Sequence, residues 1–301
     1  MIPYVRDIEF EYGRSDQVSP LIRRVIANNP GPFTFVGTGT YIVGRGEVAV
    51  IDPGPDLPEH LEAILAATAG ETITHILITH HHSDHSPLAG PLKARTGAPI
   101  WGCAVASPEE AADSTVRTEA GHDLTFKPDV SVCGGAVIEG AGWTIEAIPT
   151  PGHTSNHICY ALKEENALFS GDHIMGWSTT VITPPDGDMA DYFASLETVR
   201  ARGFATLWPT HGAPVREVDA FIGAYIAHRR QREAQVIKAV GVGEGLSTIR
   251  QMVPVLYAEV DPRLHPAAAR SVLAHLIDLT ERGVVTAAGG AGPDSVYSLA
   301  G

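Results

Sequence analysis

The feature that most constrains this chain is a histidine-rich loop at residues 80–85, with the sequence HHHSDH. It follows an apolar run, residues 72–79, that has the length and composition of a buried strand. Read as H-x-H-x-D-H, the loop carries three imidazoles and a carboxylate on one tight turn, where they can converge without a long-range contact. Imidazole is a good ligand for zinc, and carboxylate suits zinc or a harder ion such as manganese. The loop therefore predicts a metal site at the end of a strand.

Three later segments offer further ligands, because one short loop cannot supply two metal ions. Each places a His or Asp directly after an apolar run, beside a glycine that lets the backbone turn tightly. These residues are His153 in TPGHT, Asp172 in SGDH and His211 in PTHG. Seven metal-ligating residues are therefore predicted: His80, His82, Asp84, His85, His153, Asp172 and His211.

The remaining histidines receive plainer interpretations. His81 is expected to face away from its two neighbours and to support the loop. His157, four residues after His153, is expected either to orient a ligand or to line the substrate groove. Ordinary polar residues with satisfied hydrogen bonds are expected at His122, His173, His228, His265 and His275.

The order of predicted elements indicates an α/β fold. A hairpin over residues 41–52, a helix over 58–69 and the strand over 72–79 form a β-β-α-β opening. Further strands are predicted at 142–148, 157–162, 167–170 and 205–208, with a helix at 189–202. A long helix from Asp219 then leads to two helices and a β-hairpin, the order of a winged helix. We predict a catalytic domain at 1–227 and a winged-helix-like domain at 228–301.

Charge separates the candidate partners. The net charge is −14, with 21 Lys and Arg against 35 Asp and Glu. An acidic surface repels polyanions, which favours a small acyl substrate over nucleic acid. Two acidic residues on the last predicted helix, Asp278 and Glu281, further argue against DNA binding by the winged helix. That module is instead expected to cover the mouth of the site or to pair two copies of the chain.

Cysteine usage and hydropathy bear on the compartment. The three cysteines, Cys103, Cys133 and Cys159, form no C-x-x-C pair, and each is expected to be a small buried apolar residue outside any disulfide. No apolar run reaches the roughly 18 residues of a membrane span, and the first residues lack the pattern of a signal peptide. We therefore expect a cytoplasmic protein without a membrane partner.

Taken together, the motifs resemble the metallo-β-lactamase superfamily, whose pattern is T-H-x-H-x-D-H, a later His, an Asp after Ser/Thr-Gly, and a final His. The resemblance implies a four-layer αββα sandwich. It also implies that His80, His82 and His153 hold one metal, that Asp84, His85 and His211 hold the other, and that Asp172 bridges them. An Asp52-Pro-Gly turn, residues 153–157, residues 171–181 and the winged helix resemble the branch containing the mitochondrial β-lactamase-like endoribonuclease and its bacterial relatives.

These observations predict a hydrolase with two divalent cations, zinc first and manganese or iron as alternatives, that uses a metal-bridging hydroxide. The favoured substrate is a small ester, thioester or lactone. Asp84 is assigned proton transfer, and Met175, Trp177 and His157 are expected to line the substrate groove. The alternative is an endoribonuclease acting on single-stranded RNA, which the branch resemblance favours although no basic track is evident. A β-lactamase and a non-catalytic metal-binding regulator are weaker alternatives.

Overall fold

Two β-sheets form the centre of the protein in this computed structural model, which describes residues 2–105, 121–241 and 247–301. The first sheet has seven strands in chain order, antiparallel as far as the fourth and parallel from there onward. Its strands are β1 (Ser15–Gln17), β2 (Ile22–Ile26), β3 (Gly39–Arg45), β4 (Glu47–Ile51), β5 (Thr72–Leu77), β6 (Ile100–Gly102) and β7 (Val130–Ser131).

The second sheet has five strands in the order β12-β11-β10-β9-β8. Only the β11–β12 pair is parallel. Every residue of β10, β11 and β12 is buried, which agrees with their unbroken apolar sequences and places them between two covered faces. The strands are β8 (Ala136–Gly140), β9 (Trp143–Pro149), β10 (Ile158–Leu162), β11 (Ala167–Gly171) and β12 (Thr206–Pro209).

Helices cover the outer faces of both sheets. The period-2 alternation of β3 divides its side chains, with Tyr41 facing the other sheet and Ile42 facing the helices. Helices α1 (Pro58–Ala67) and α2 (Ala89–Thr96) pack on the first sheet, whereas α3 (Met189–Ala201) and α4 (Val218–Gly241) pack on the second. The predicted four-layer αββα sandwich is therefore confirmed.

Helix α4 continues into a C-terminal unit with its own core. That unit contains α5 (Ile249–Leu256), α6 (His265–Glu281) and a hairpin of β13 (Val285–Ala287) and β14 (Tyr297–Leu299). Phe221 and Tyr225 of α4 belong to the core of the sandwich, while Val236 and Val240 belong to the core of the C-terminal unit. The predicted winged-helix order is confirmed, and the predicted boundary at 227/228 falls inside α4. No helix in the described ranges combines the length and hydropathy needed to span a membrane.

The expectation of three unpaired cysteines is wrong for two of them. Cys103 and Cys133 form a disulfide, whereas Cys159 is free and buried as predicted. The bonded cysteines follow β6 and β7, which pair in parallel, so their carboxyl ends meet at one edge of the sheet. Their separation of 30 residues carries no local signal of this pairing.

Asp278 does not present the surface charge that the sequence interpretation assigned to it. It is buried on α6 and lies 2.8 Å from Arg282, so its carboxylate is compensated within the protein. Burial raises its pKa, against the lowering effect of Arg282. Glu281 is exposed as expected. Of the two acids expected to disfavour DNA binding, only Glu281 therefore contributes surface charge.

His173 and His275 were expected to have satisfied hydrogen bonds, and the structure contradicts this. Both are fully buried, and none of their ring nitrogens has a hydrogen-bond partner within the described residues. For His275, burial and then the charges of Arg229 and Arg232 lower the pKa to about 3. This imidazole is held neutral inside the protein.

His275 should make the protein less stable in acid. Its pKa is lower in the folded state than in the unfolded chain, so stability is complete above the unfolded value of about 6.5 and falls as the pH decreases toward 3. Between pH 7 and pH 5, the free energy of unfolding should fall by about 2 kcal/mol less in His275→Leu than in the wild-type protein. Urea unfolding of both proteins at the two pH values measures this difference. Equal losses would contradict the assignment.

Candidate metal centre

The loop after β5 and the turn after β9 together place three histidine side chains around one point. His80 Nε2 lies 2.9 Å from His82 Nδ1, and His153 Nε2 lies 3.2 Å from the same nitrogen. His80 and His82 are buried, and His153 enters from the turn after β9. One nitrogen from each ring lies within 4.8 Å of the others, a spacing at which three ligands can hold one metal ion. The structure thus brings together the three residues predicted for a first metal.

Asp84, His85 and His211 form a second group with the same spacing. His211 Nε2 is 3.1 Å from Asp84 Oδ2, and His85 Nε2 is 3.6 Å from that oxygen. Asp172 lies between the two groups. Its Oδ1 is 3.4 Å from His211 Nε2, and its Oδ2 is 3.8 Å from His153 Nε2. All seven predicted ligands therefore surround one small volume, with the Asp172 carboxylate facing both groups.

The chemistry of these atoms fits divalent cations. Four of them are buried without a hydrogen bond to any described residue: His85 Nε2, His211 Nε2, Asp84 Oδ1 and Asp172 Oδ1. Buried polar atoms are costly unless they are satisfied, and a bound cation would satisfy all four. A set of imidazole nitrogens and carboxylate oxygens suits zinc and also manganese or iron. The arrangement can hold two cations, and the donor set does not select among these metals.

The protonation states differ between the two groups of candidate ligands. Burial and the neighbouring imidazoles lower the pKa of His80 and His82 well below the ordinary value, so both rings keep a lone pair for a ligand. Burial alone would lower the pKa of His85, but the carboxylates around it raise it well above the ordinary value. In the metal-free chain this proton offsets the buried carboxylates. Metal binding must displace it, so uptake of metal should release protons.

Asp52 supports the candidate centre through hydrogen bonds to the candidate ligand His85 and to residues next to other candidate ligands. The sequence did not predict it as a site residue. Its Oδ2 accepts hydrogen bonds from Thr79 Oγ1 at 2.8 Å, His85 Nδ1 at 2.9 Å and Thr210 Oγ1 at 3.0 Å. It stands directly after β4 in a left-handed conformation, with φ of +48°, which is unfavourable for an L-residue other than glycine. The available signal was a carboxylate at the end of a buried strand, in the Asp-Pro-Gly turn.

Other contacts fix the direction of the ligand rings. His153 Nδ1 donates to Val181 O at 2.7 Å, and His211 Nδ1 donates to Gly37 O at 3.1 Å. A hydrogen bond from Nδ1 sets the tautomer and directs Nε2 toward the centre. Both carbonyls come from residues distant in sequence, so the pattern of motifs could not reveal them.

His157 does not line the substrate groove, contrary to that expectation. It is buried, with Nδ1 2.9 Å from Thr150 Oγ1, and its Nε2 accepts a hydrogen bond from the Asp172 N–H at 3.2 Å. The approach is so close that a Cβ at Gly171 would lie 2.5 Å from this nitrogen. His157 therefore positions the backbone of Asp172, the other role considered for it.

His81 faces away from the centre, as expected. Its Nδ1 is 2.9 Å from Asn156 Oδ1, and its Nε2 is 2.6 Å from His122 Nδ1. His81, His122 and Asp186 form a further group with metal-compatible spacing beside the main centre. His122 and Asp186 also line the cavity described next.

A cavity of about 280 Å³ extends from the candidate metal centre to the C-terminal unit. At one end it is bordered by His82, Asp84 and Asp172. Met175 and Trp177 line its wall, and the Trp177 ring stacks on Phe35 with centroids 4.9 Å apart. The C-terminal unit contributes Tyr257, Val260, Leu264, Ala267, Ala268 and Ser271. The predicted module therefore forms part of the cavity wall.

Comparison with known proteins agrees with the geometry. Residues 34–211 match the model of the metallo-beta-lactamase superfamily, and residues 248–292 match the beta-lactamase associated winged helix domain. The chain is 31% identical over 278 residues to the beta-lactamase-like protein 2 homolog of Caenorhabditis elegans, covering 90% of this chain and 88% of that protein. It is 29% identical over 273 residues to the atrochrysone carboxyl ACP thioesterase dmxR1 of Cryptosporiopsis sp. (strain 8999), covering 86% and 76%.

Solved structures show the same fold. A beta-lactamase domain protein from Burkholderia ambifaria superposes with a TM-score of 0.78 at 22% identity, covering 98% of this chain and 96% of that one. A metallo-beta-lactamase family protein from Thermus thermophilus superposes with a TM-score of 0.75 at 22% identity, covering 94% and 100%. At this level of identity the likeness concerns the fold alone.

Proposed function

The chain belongs to the metallo-β-lactamase superfamily of hydrolases and carries the associated winged-helix domain, and from that premise we propose that it hydrolyses acyl thioesters at a dinuclear centre. The observation that carries the proposal is the cavity, which runs from the candidate ligands along the apolar side chains of Met175, Trp177 and Val260. Such walls suit an acyl chain. Relatives named as thioesterases support the same substrate class.

The seven candidate ligands would divide between two cations, which we propose to be zinc, with manganese and iron as the alternatives. His80, His82 and His153 would hold one, and Asp84, His85 and His211 the other, with Asp172 shared. Two bound cations would lower the pKa of a water molecule between them and polarise the carbonyl oxygen of the scissile bond.

Asp84 is the residue that we propose to move the proton. It lines the cavity at the end where the candidate ligands lie. In the reaction the water oxygen bonds to the carbonyl carbon, and the carbon–sulfur bond breaks. Asp84 accepts a proton from the water and returns it to the departing sulfur, so that a carboxylic acid and a thiol result. A thiol has a pKa near 8.5, so its thiolate leaves readily with only one weak acid nearby.

The winged helix is proposed to cover the mouth of the site. Residues of α6 and of the segment between α5 and α6 line the cavity, so a substrate in it would touch both parts of the chain. The net charge of −14 argues against a polyanionic substrate and favours the thioester over single-stranded RNA.

Direct assays separate the two substrate classes. We expect zinc-loaded protein to release thiol from acyl N-acetylcysteamine thioesters, and to act more slowly on the oxygen ester of the same acyl group. A preparation of His82→Ala made in the same way controls for contaminating enzymes. Metal-dependent cleavage of end-labelled single-stranded RNA that is absent from His82→Ala, with thioesters left intact, would replace the proposal with an endoribonuclease.

A further inference from the structure

Arg229 is a buried arginine on α4 that lines the cavity. Only 4% of its surface is exposed, and no carboxylate lies within ion-pair distance of it in the described ranges. Its guanidinium donates to Thr180 O and lies 5.3 Å from the centre of the Tyr192 ring, while its Nε has no hydrogen bond to a described residue. Burying a cation without a counter-ion is costly, because neither water nor an anion compensates the charge.

Neighbouring arginines outside the cavity have the counter-ions that Arg229 lacks. Arg230 lies 2.8 Å from Glu233, and Arg282 lies 2.7 Å from the other oxygen of Glu233. Arg282 also pairs with Asp278. The acidic side chains on these helices thus compensate arginines that face away from the cavity. The positive charge of Arg229, which faces the cavity, is not compensated by a carboxylate of the described residues.

Two more side chains extend this positive region along the cavity. Arg232 donates to Leu256 O at 2.7 Å and lies 4.0 Å from the centre of the Tyr257 ring, again without an ion pair to a described residue. Beside it, burial and then the charges of Arg229 and Arg232 lower the pKa of His228 to about 4. A positive potential in a chain of net charge −14 marks this end of the cavity as different from the protein surface.

The positive region belongs to the same cavity as the candidate metal centre. Thr180, which accepts the hydrogen bond from Arg229, donates its hydroxyl to Asp172 O at 2.8 Å. A molecule that fills the cavity could therefore place its reacting bond near Asp172 and a second group near Arg229.

We propose that Arg229 and Arg232 form an anion subsite for a carboxylate or phosphate of the substrate, so that the substrate class is an anionic acyl thioester. The planar guanidinium matches the two oxygens of either group. The anion would come from a carboxylate on the acyl chain or from the phosphate of a pantetheine-type thiol arm. The thioester part of this inference rests on the proposed function, whereas the anion subsite can be tested separately.

Three thioesters distinguish the sources of the anion. Hexanoyl N-acetylcysteamine is neutral, adipoyl N-acetylcysteamine adds a carboxylate to the acyl chain, and hexanoyl 4′-phosphopantetheine adds a phosphate to the thiol arm. We expect Arg229→Gln to lower kcat/KM for one of the anionic substrates roughly 10- to 100-fold, mainly through KM, and to leave the neutral one nearly unchanged. Arg229→Lys should restore part of the loss, and Arg230→Gln is the matched control outside the cavity.

An equal loss on all three thioesters would show that Arg229 acts only by holding Thr180, and would overturn the proposal, as would no loss on any of them. If the wild-type protein hydrolyses no thioester, the proposed function fails, and calorimetric titration with adipate and 4′-phosphopantetheine decides the subsite alone. Weaker binding of either compound by Arg229→Gln than by Arg230→Gln would support it. Equal dissociation constants in both variants would overturn it, because an anion bound only at the candidate metal centre would bind equally well whether or not Arg229 is replaced.

Discussion

Asp172→Ala is expected to abolish hydrolysis and to leave the protein with less metal. The Asp172 carboxylate lies 3.6 Å from His85 Nε2 and 3.8 Å from His153 Nε2, so it faces both groups of candidate ligands. Its removal takes away a charge that would offset two cations and separates the two groups. We expect kcat to fall at least about a thousandfold, equivalent to about 4 kcal/mol of transition-state stabilisation.

Thiol release and metal analysis by mass spectrometry test this expectation together. Asp219→Ala is a suitable control, because Asp219 is an exposed carboxylate that pairs with Arg200 on the surface. Circular dichroism establishes whether each variant is folded. Full activity in metal-depleted Asp172→Ala would rule out the dinuclear assignment. We expect His82→Ala likewise to lose hydrolysis, together with the metal assigned to the first group of ligands.

Asp52→Ala is expected to weaken metal binding although the Asp52 side chain lies behind the ligands. The substitution leaves His85 Nδ1 without its acceptor and removes the partner of the Thr79 N–H, which lies 2.8 Å from Asp52 Oδ1. We expect metal affinity to fall roughly 10- to 100-fold. The free energy of unfolding should fall by about 3 kcal/mol, because buried donors lose their partners.

Chelator competition measures the metal affinity of this variant, and urea unfolding of metal-free protein measures its stability. Asp52→Asn keeps an acceptor for one donor and should recover part of both losses. A protein that loses stability but binds metal as tightly as wild type would assign Asp52 to folding alone, and would contradict its role in orienting His85.

The ligands were predictable from sequence because of where they stand. His153 and His211 each follow a strand that the sequence marks by its apolar residues, and these two strands, β9 and β12, run in the same direction, so their carboxyl ends lie at one edge of the sheet. The supporting contacts were not predictable, because they join distant segments. The bond from Thr210 to Asp52 spans 158 residues, and the one from His211 to Gly37 spans 174. The residues near Asp52 and His211 in the sequence do not indicate these distant partners.

The sequence pattern of α4 also does not distinguish side chains buried in the core from side chains buried beside the cavity. The helical spacing on α4 predicts that Tyr225 is buried, and it is. The same spacing places Arg229, four residues later, on that face, but a charged side chain at this position gives no sign that it is buried beside a cavity while Arg230 is exposed. The difference arises from the loop after Asp172, which supplies Thr180 O as an acceptor for Arg229. Likewise, Cys103 and Cys133 meet only because β6 and β7 pair in parallel.

Helix α4 has a consequence for protein engineering. Its 24 residues form a rod of about 36 Å that contributes side chains to both hydrophobic cores. A chimera joined at residue 228 would divide that rod at the side chains that line the cavity. An exchange beginning at Val218 would instead transfer the whole helix, with Arg229 and Arg232, as one piece. New substrate ranges should therefore be sought by grafting the segment from Val218 onward while the sandwich with its candidate metal ligands is kept.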